Sequence, residues 1–171
     1  MSTKNKGFTL IEIIIFIVVF TVGVMGIMIL FYNTLGKTSD PIIRHKAIVA
    51  AQTVLEEIIS KKFDEDTLNG GGTINLDKIN IGNENNENSM NKYDDVDDYV
   101  DSCDTEKEYQ PSDFGLNGNY KIFVNVHFVK IENGKIVSNS CTATNYKLIQ
   151  VSVESDLLKE RYTLEYVKGN F

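Results

Sequence analysis

The feature that most constrains this chain is an apolar run near its beginning. Residues 13–36 carry no charge at all, and the run is rich in Ile, Val, Phe, Leu and Met. A helix rises about 1.5 Å per residue and about 20 apolar residues cross the hydrocarbon core, so the run is long enough to span a bilayer. Its single interruption is Glu12, at its head. A carboxylate near the end of such a segment costs about 2.5–3.5 kcal/mol or less, depending on depth, and usually marks function. Lys4 and Lys6 lie on one side of the run. The positive-inside tendency then keeps the short N-terminus in the cytoplasm and sends the rest outward.

The helix is expected to continue beyond the membrane. Asp40-Pro41 predicts a bend or restart, because proline removes a backbone donor and restricts the residues before it. Ile43, Ala47, Ala50, Ala51, Val54, Leu55 and Ile58 then form one stripe at helical spacing. Arg44, His45, Lys46, Gln52, Glu56 and Glu57 are the outward candidates. Residues 63–92 are polar and asparagine-rich around Gly70-Gly71-Gly72, and read mostly as loop. Ile74, Leu76, Ile79 and Ile81 hint at a short strand or hairpin there. Alternating apolar residues predict strands at 120–131, 146–154 and 161–167, and Asn133-Gly134 carries the signal of a tight turn. Three antiparallel strands packed on the second half of a long helix make an α+β domain.

Gly7-Phe8-Thr9-Leu10-Ile11-Glu12 resembles the processing site of type IV prepilins and the related secretion pseudopilins. In an ordinary secretory signal the apolar run is short and lies before the cut; here the small residue precedes it. The resemblance implies a leader at 1–7, a transmembrane and filament-core helix at 8–36, an amphipathic continuation at 37–61 and an extracytoplasmic domain at 62–171. It implies that a prepilin peptidase cuts between Gly7 and Phe8 and methylates the new amine of Phe8. It further implies that Glu12 neutralises the amino terminus of a neighbouring subunit during assembly with other pilins and the inner-membrane machinery. Two opposite charges in an apolar bundle are tolerable only when they meet. The type IV pilin fold is the implied α+β architecture, and the filament at the cell surface is the implied destination.

Further on, Asp40-Pro41 followed by Ala50-Ala51-Gln52-Thr53-Val54-Leu55-Glu56-Glu57-Ile58 resembles the "DP…A…A…LLEEI" pattern of MshD-type minor pilins of mannose-sensitive haemagglutinin systems. Tyr93-Asp94-Asp95-Val96-Asp97-Asp98-Tyr99 is similar to their "FDDVDDY" stretch. The resemblance implies a minor pilus subunit. A type II secretion pseudopilin and a membrane-tethered binding module that never polymerises are the alternatives.

The net charge of −7 is concentrated: residues 63–113 hold 15 of the 24 acids and 3 of the 17 bases, a balance of −12 against +5 elsewhere. No basic patch suggests nucleic acid. Asp94, Asp95, Asp97, Asp98 and Asp101 are oxygen donors at close spacing, and Ca²⁺ takes six to eight oxygens. The spacing is not that of an EF-hand, and an acidic run is commonly a solvated face. A further reading packs Tyr93, Val96 and Tyr99 on the sheet with the aspartates outward. Cys103 and Cys141, both on the outer side, read as a disulfide closing a loop of about 38 residues and contributing about 4 kcal/mol, or as two separate thiols. His45 and His127 have no recognisable nucleophile beside them, so no enzymatic role is expected.

Overall fold

In a computed structural model of the chain, the described residues are 7–68, 71–82, 89–157 and 159–171, with backbone alone for 36–39. Lys4, Lys6, most of the 1–7 leader and Gly70 fall outside them. The chain divides into two units, one up to Ile42 and one from Ile43 to Phe171.

The first unit is the apolar part of a helix, α1, which runs from Leu10 to Ser60. Its large side chains are exposed all round, and the window apolar enough to cross a membrane is wholly unburied. Pro41 sits inside α1, and no restart occurs at Asp40-Pro41. The helix continues through Pro41 because proline forfeits one hydrogen bond without obliging the chain to leave helical geometry.

The second unit joins the remainder of α1 to an antiparallel sheet of five strands: β1 (Lys107–Tyr109), β2 (Tyr120–Glu132), β3 (Lys135–Ser140), β4 (Tyr146–Ser155) and β5 (Arg161–Gly169). The order is β1-β2-β4-β5, with β3 also paired to β2. The strands expected at 120–131, 146–154 and 161–167 are all present. β1 and β3 were not anticipated: β1 has only three residues, and β3 is exposed throughout most of its length, so neither shows the alternation that marks a half-buried strand. Asn133 and Gly134 both have positive φ, 53° and 73°, which suits a two-residue turn between twisted antiparallel strands.

The core follows the two periodicities. Ala47, Ala50, Ala51, Val54 and Ile58 on α1 meet Ile122, Val124 and Val126 of β2 and Ile149, Val151 and Val153 of β4, all buried in one cluster. The small residues of α1 let the helix approach the sheet closely. Tyr93, Val96, Tyr99, Val100 and Tyr109 complete the cluster, with Tyr99 fully buried among Tyr93, Tyr109 and Phe114. The strand suggested at 74–81 does not form among the described residues. Leu76–Lys78 is instead a 3₁₀ turn capped by Asn75, and Ile79 packs with Phe63 and Phe128 in a second small cluster. Apolar residues two and three apart also suit an irregular segment that pins one side chain at a time.

Candidate functional site

The N-terminal site is built by the start of α1. Thr9 is the last non-helical residue, and its carbonyl accepts from the N–H groups of Glu12 and Ile13 at 3.1 and 3.3 Å. The Thr9 N–H and hydroxyl both donate to Oε2 of Glu12 at 3.4 Å. Thr9-x-x-Glu12 is therefore half of a capping box, in which the glutamate returns to the N-cap backbone. The pattern is readable in the sequence and gives Glu12 a local role: it starts the helix and holds its carboxylate beside the backbone one residue from Phe8. Phe8, Ile13 and Phe16 are exposed around it, and Phe16 stacks on Phe20 at 5.9 Å. A Cβ added at Gly7, Gly23 or Gly26 would meet nothing within 4 Å, so no packing inside this chain demands glycine there.

Residues 2–28 match the family model described as the prokaryotic N-terminal methylation motif. The chain carries a prepilin-type start. No curated protein and no solved structure matches it significantly. The motif indicates a type IV pilin-like or pseudopilin protein, processed by a prepilin peptidase and assembled with other pilins. The apolar helix is consistent with anchoring in the inner membrane.

The second functional region is the acidic segment, and here the structure separates the five aspartates. Tyr93, Val96 and Tyr99 are buried in the core, as one reading of the sequence had it. The aspartates between them are not uniformly outward. Asp94 and Asp101 are exposed, whereas Asp95, Asp97 and Asp98 are buried. Oδ1 of Asp95 accepts the N–H groups of Asp97 and Asp98, and Oδ2 of Asp98 accepts those of Asp94 and Asp95. The run thus satisfies its own tight backbone with its own carboxylates, as short acidic side chains do in turns. Asp101 pairs with Lys107 at 2.7 Å and Asp94 with Lys62 at 2.9 Å. Among the described residues, Asp94, Asp95 and Asp98 bring carboxylate oxygens within 4.8 Å of one another. Ca²⁺ takes six to eight oxygens, which carboxylates supply singly or in pairs together with carbonyls and water.

Asp97 turns the other way, to Lys147. This lysine is on β4 in phase with Ile149, Val151 and Val153, so it faces the core, and it is completely buried. Its Nζ donates to Oδ1 of Asp97, to the Phe63 carbonyl at 2.7 Å and to Oδ2 of Asp64 at 3.3 Å. The rings of Phe63 and Phe128 cover it at 4.7 and 5.8 Å. Burial holds the carboxyl of Asp97 well above the ordinary carboxylate range, against the pull of Lys147. Burial, then the neighbouring Asp98 carboxylate, raise Asp95 too. The signal for Lys147 is present in the sequence as a cation at an inward position of an alternating strand. The carboxylates that would compensate it lie 50 and 83 residues away and only the fold brings them together.

Around this centre the end of α1 is tied down. Lys168 of β5 donates to the carbonyls of Ile59 and Lys61, supplying donors that the last turn lacks. Burial, then Lys147, lower its pKa below the usual lysine value. Lys61 Nζ reaches the Tyr93 carbonyl at 2.9 Å. Cys103 and Cys141 form a disulfide that links the loop before β1 to the turn after β3, with their Cα atoms 5.7 Å apart. His127 lies buried on the sheet face away from α1, its Nδ1 3.9 Å from an Asp104 carboxylate.

Proposed function

We propose that this chain is a minor subunit of a type IV pilus. The peptidase cuts between Gly7 and Phe8 and methylates Phe8, α1 then packs in a filament, and the domain from Ile43 onward is displayed at its surface. The observation that carries the reading is the contrast between the chain's two units. The second buries its own core, while the first, among the described residues, exposes every large apolar side chain over a membrane-length helix that carries one carboxylate. Lipid can cover that helix, but lipid does not call for Glu12. A neighbouring subunit's amine does, because a charge in an apolar bundle needs its opposite. The glycines at 7, 23 and 26 point the same way. Their side-chain positions are open within the chain, so what selects them lies outside it: a peptidase at Gly7, and close helix neighbours or local melting of the helix at Gly23 and Gly26.

The minor role, as distinct from a major pilin, rests on the resemblance of 40–58 and 93–99 to MshD-type subunits. The structure gives those stretches a joint role, since Ala50, Ala51, Val54 and Ile58 share one core with Tyr93, Val96 and Tyr99. The reading assigns the chain no catalysis. A pseudopilin of a type II secretion machine is the second reading, because leader and helix are common to both; genes for pilus or secretion machinery beside this one separate them.

The test is the intact mass of the chain produced with and without a prepilin peptidase. Loss of residues 1–7 with one methyl gained on Phe8 is the expected result. An uncut chain would remove the pilin reading and leave a tethered binding module.

A further inference from the structure

We propose that the Lys147 side chain forms an intramolecular amide with Asp97, so that the mature domain carries a covalent cross-link between β4 and the segment that follows α1. Four features of the site point to it. First, Nζ of Lys147 touches Oδ1 of Asp97, and the carbon an amine would attack, Cγ, is one bond beyond that oxygen. Reacting groups held at about 3–3.5 Å gain effective molarities on the order of 10⁵–10⁸ M, which is how a reaction that never occurs between free side chains becomes feasible within a fold. Second, water is excluded: the Lys147 side chain is 0% exposed and that of Asp97 4%. Third, the surroundings are aromatic, with Phe63 and Phe128 over the nitrogen. In such a setting an ammonium–carboxylate pair loses much of its advantage over a neutral amine beside a neutral acid, which is the reactive pair. Fourth, a second carboxyl group is at hand. Asp64 Oδ2 lies 3.3 Å from the same nitrogen and is itself nine-tenths buried, in the place of a proton carrier.

The step balances without any further reagent. A proton passes from the ammonium of Lys147 to the Asp97 carboxylate. The neutral nitrogen attacks Cγ, Asp64 takes a proton from that nitrogen, and the same proton goes to the departing hydroxyl. The Nζ–Cγ bond forms, a Cγ–O bond breaks, one water leaves, and no electrons are exchanged. A buried ion pair that remains an ion pair is the competing account, and a filament subunit under tension gains from the covalent form. The cross-link requires neither cleavage at Gly7 nor assembly, so it stands or falls apart from the pilin reading.

Mass spectrometry of the unmodified full-length chain in detergent decides the matter. The chain is expected to be lighter than its disulfide-bonded formula by one water, about 18 Da. Trypsin separates residues 93–107 from 136–147, and the disulfide joins these same two peptides. After reduction and alkylation they are expected to stay together, as 93–107 bound to 136–159, because an acylated Lys147 is not cleaved. Lys147→Arg should restore the formula mass. Asp97→Asn should yield the same final product as the wild type, through loss of ammonia instead of water. A wild-type mass with no water lost, or clean separation of the peptides on reduction, overturns the proposal. A link from Lys147 to residues 63–78 overturns the assignment to Asp97.

Discussion

Truncating Ile58 to alanine measures how far the second half of α1 depends on the sheet. Ile58 occupies the last turn of α1, is 0% exposed and joins the cluster formed by Val54, Tyr99 and the inward residues of β2 and β4. Three carbons are lost, a transfer cost of about 2.4 kcal/mol at about 0.8 kcal/mol per methylene. The cavity adds to this, since a helix anchored by Lys168 and by Lys61 cannot slide in to fill it; the total is about 3.5 kcal/mol. A unit of about 130 residues unfolds with an entropy near 0.27 kcal/mol/K, so its Tm should fall by about 13 °C. Val49→Ala is the control. Val49 is on the same helix but 44% exposed and outside the cluster, and its truncation should move Tm by no more than about 3 °C. The assay is thermal unfolding of the full chain in detergent, followed by near-ultraviolet circular dichroism of the buried tyrosines. A shift below about 4 °C for Ile58→Ala, or equal shifts for the two variants, would refute the packing described here.

Other expectations follow from the same contacts. Replacing Cys103 and Cys141 together by serine removes a closure of 38 residues and should cost about 4 kcal/mol, falling to about 3 where a Lys147–Asp97 amide already draws the loop ends together; chemical denaturation gives the figure. Asp95 is raised in the folded state, so its contribution to stability is complete below the ordinary carboxylate value and is lost as pH rises through the folded one. Accordingly the wild type should gain more Tm than Asp95→Asn does as pH is lowered from 7 to the ordinary carboxylate value, and equal gains over that whole range would contradict the assignment. Glu12→Ala should leave the outer domain's Tm unchanged while the amount of subunit recovered in sheared filaments drops at least tenfold, because an unpaired charge in an apolar core costs about 2.5 kcal/mol or more.

Much of the fold was legible in the sequence because it rests on periodicity. The stripe from Ala47 to Ile58 and the alternations in β2, β4 and β5 are repeated many times over, so no single residue decides them. The elements that escaped are those without repetition. β1 is three residues long, β3 buries almost nothing, and 74–81 places isolated apolar residues in a turn. The restart that Pro41 suggested does not occur, because helix-forming residues lie on both sides of it. At the N-terminus, Gly7, Phe8 and Glu12 were singled out by the resemblance of residues 7–12 to a prepilin processing site, and Thr9-x-x-Glu12 was available as a capping box from the same letters.

The sequence by itself determined an apolar helix headed by one carboxylate and a small α+β domain after it. These are properties of neighbouring residues, which hydropathy and spacing report directly. The tertiary structure alone decided what the charges do. Five aspartates that looked like one face are divided among a self-capped turn, two surface ion pairs and a buried partner for Lys147. Buried charges are stabilised by partners distant in sequence, and a string of letters does not say which carboxylate will meet which amine until the core that excludes water has formed.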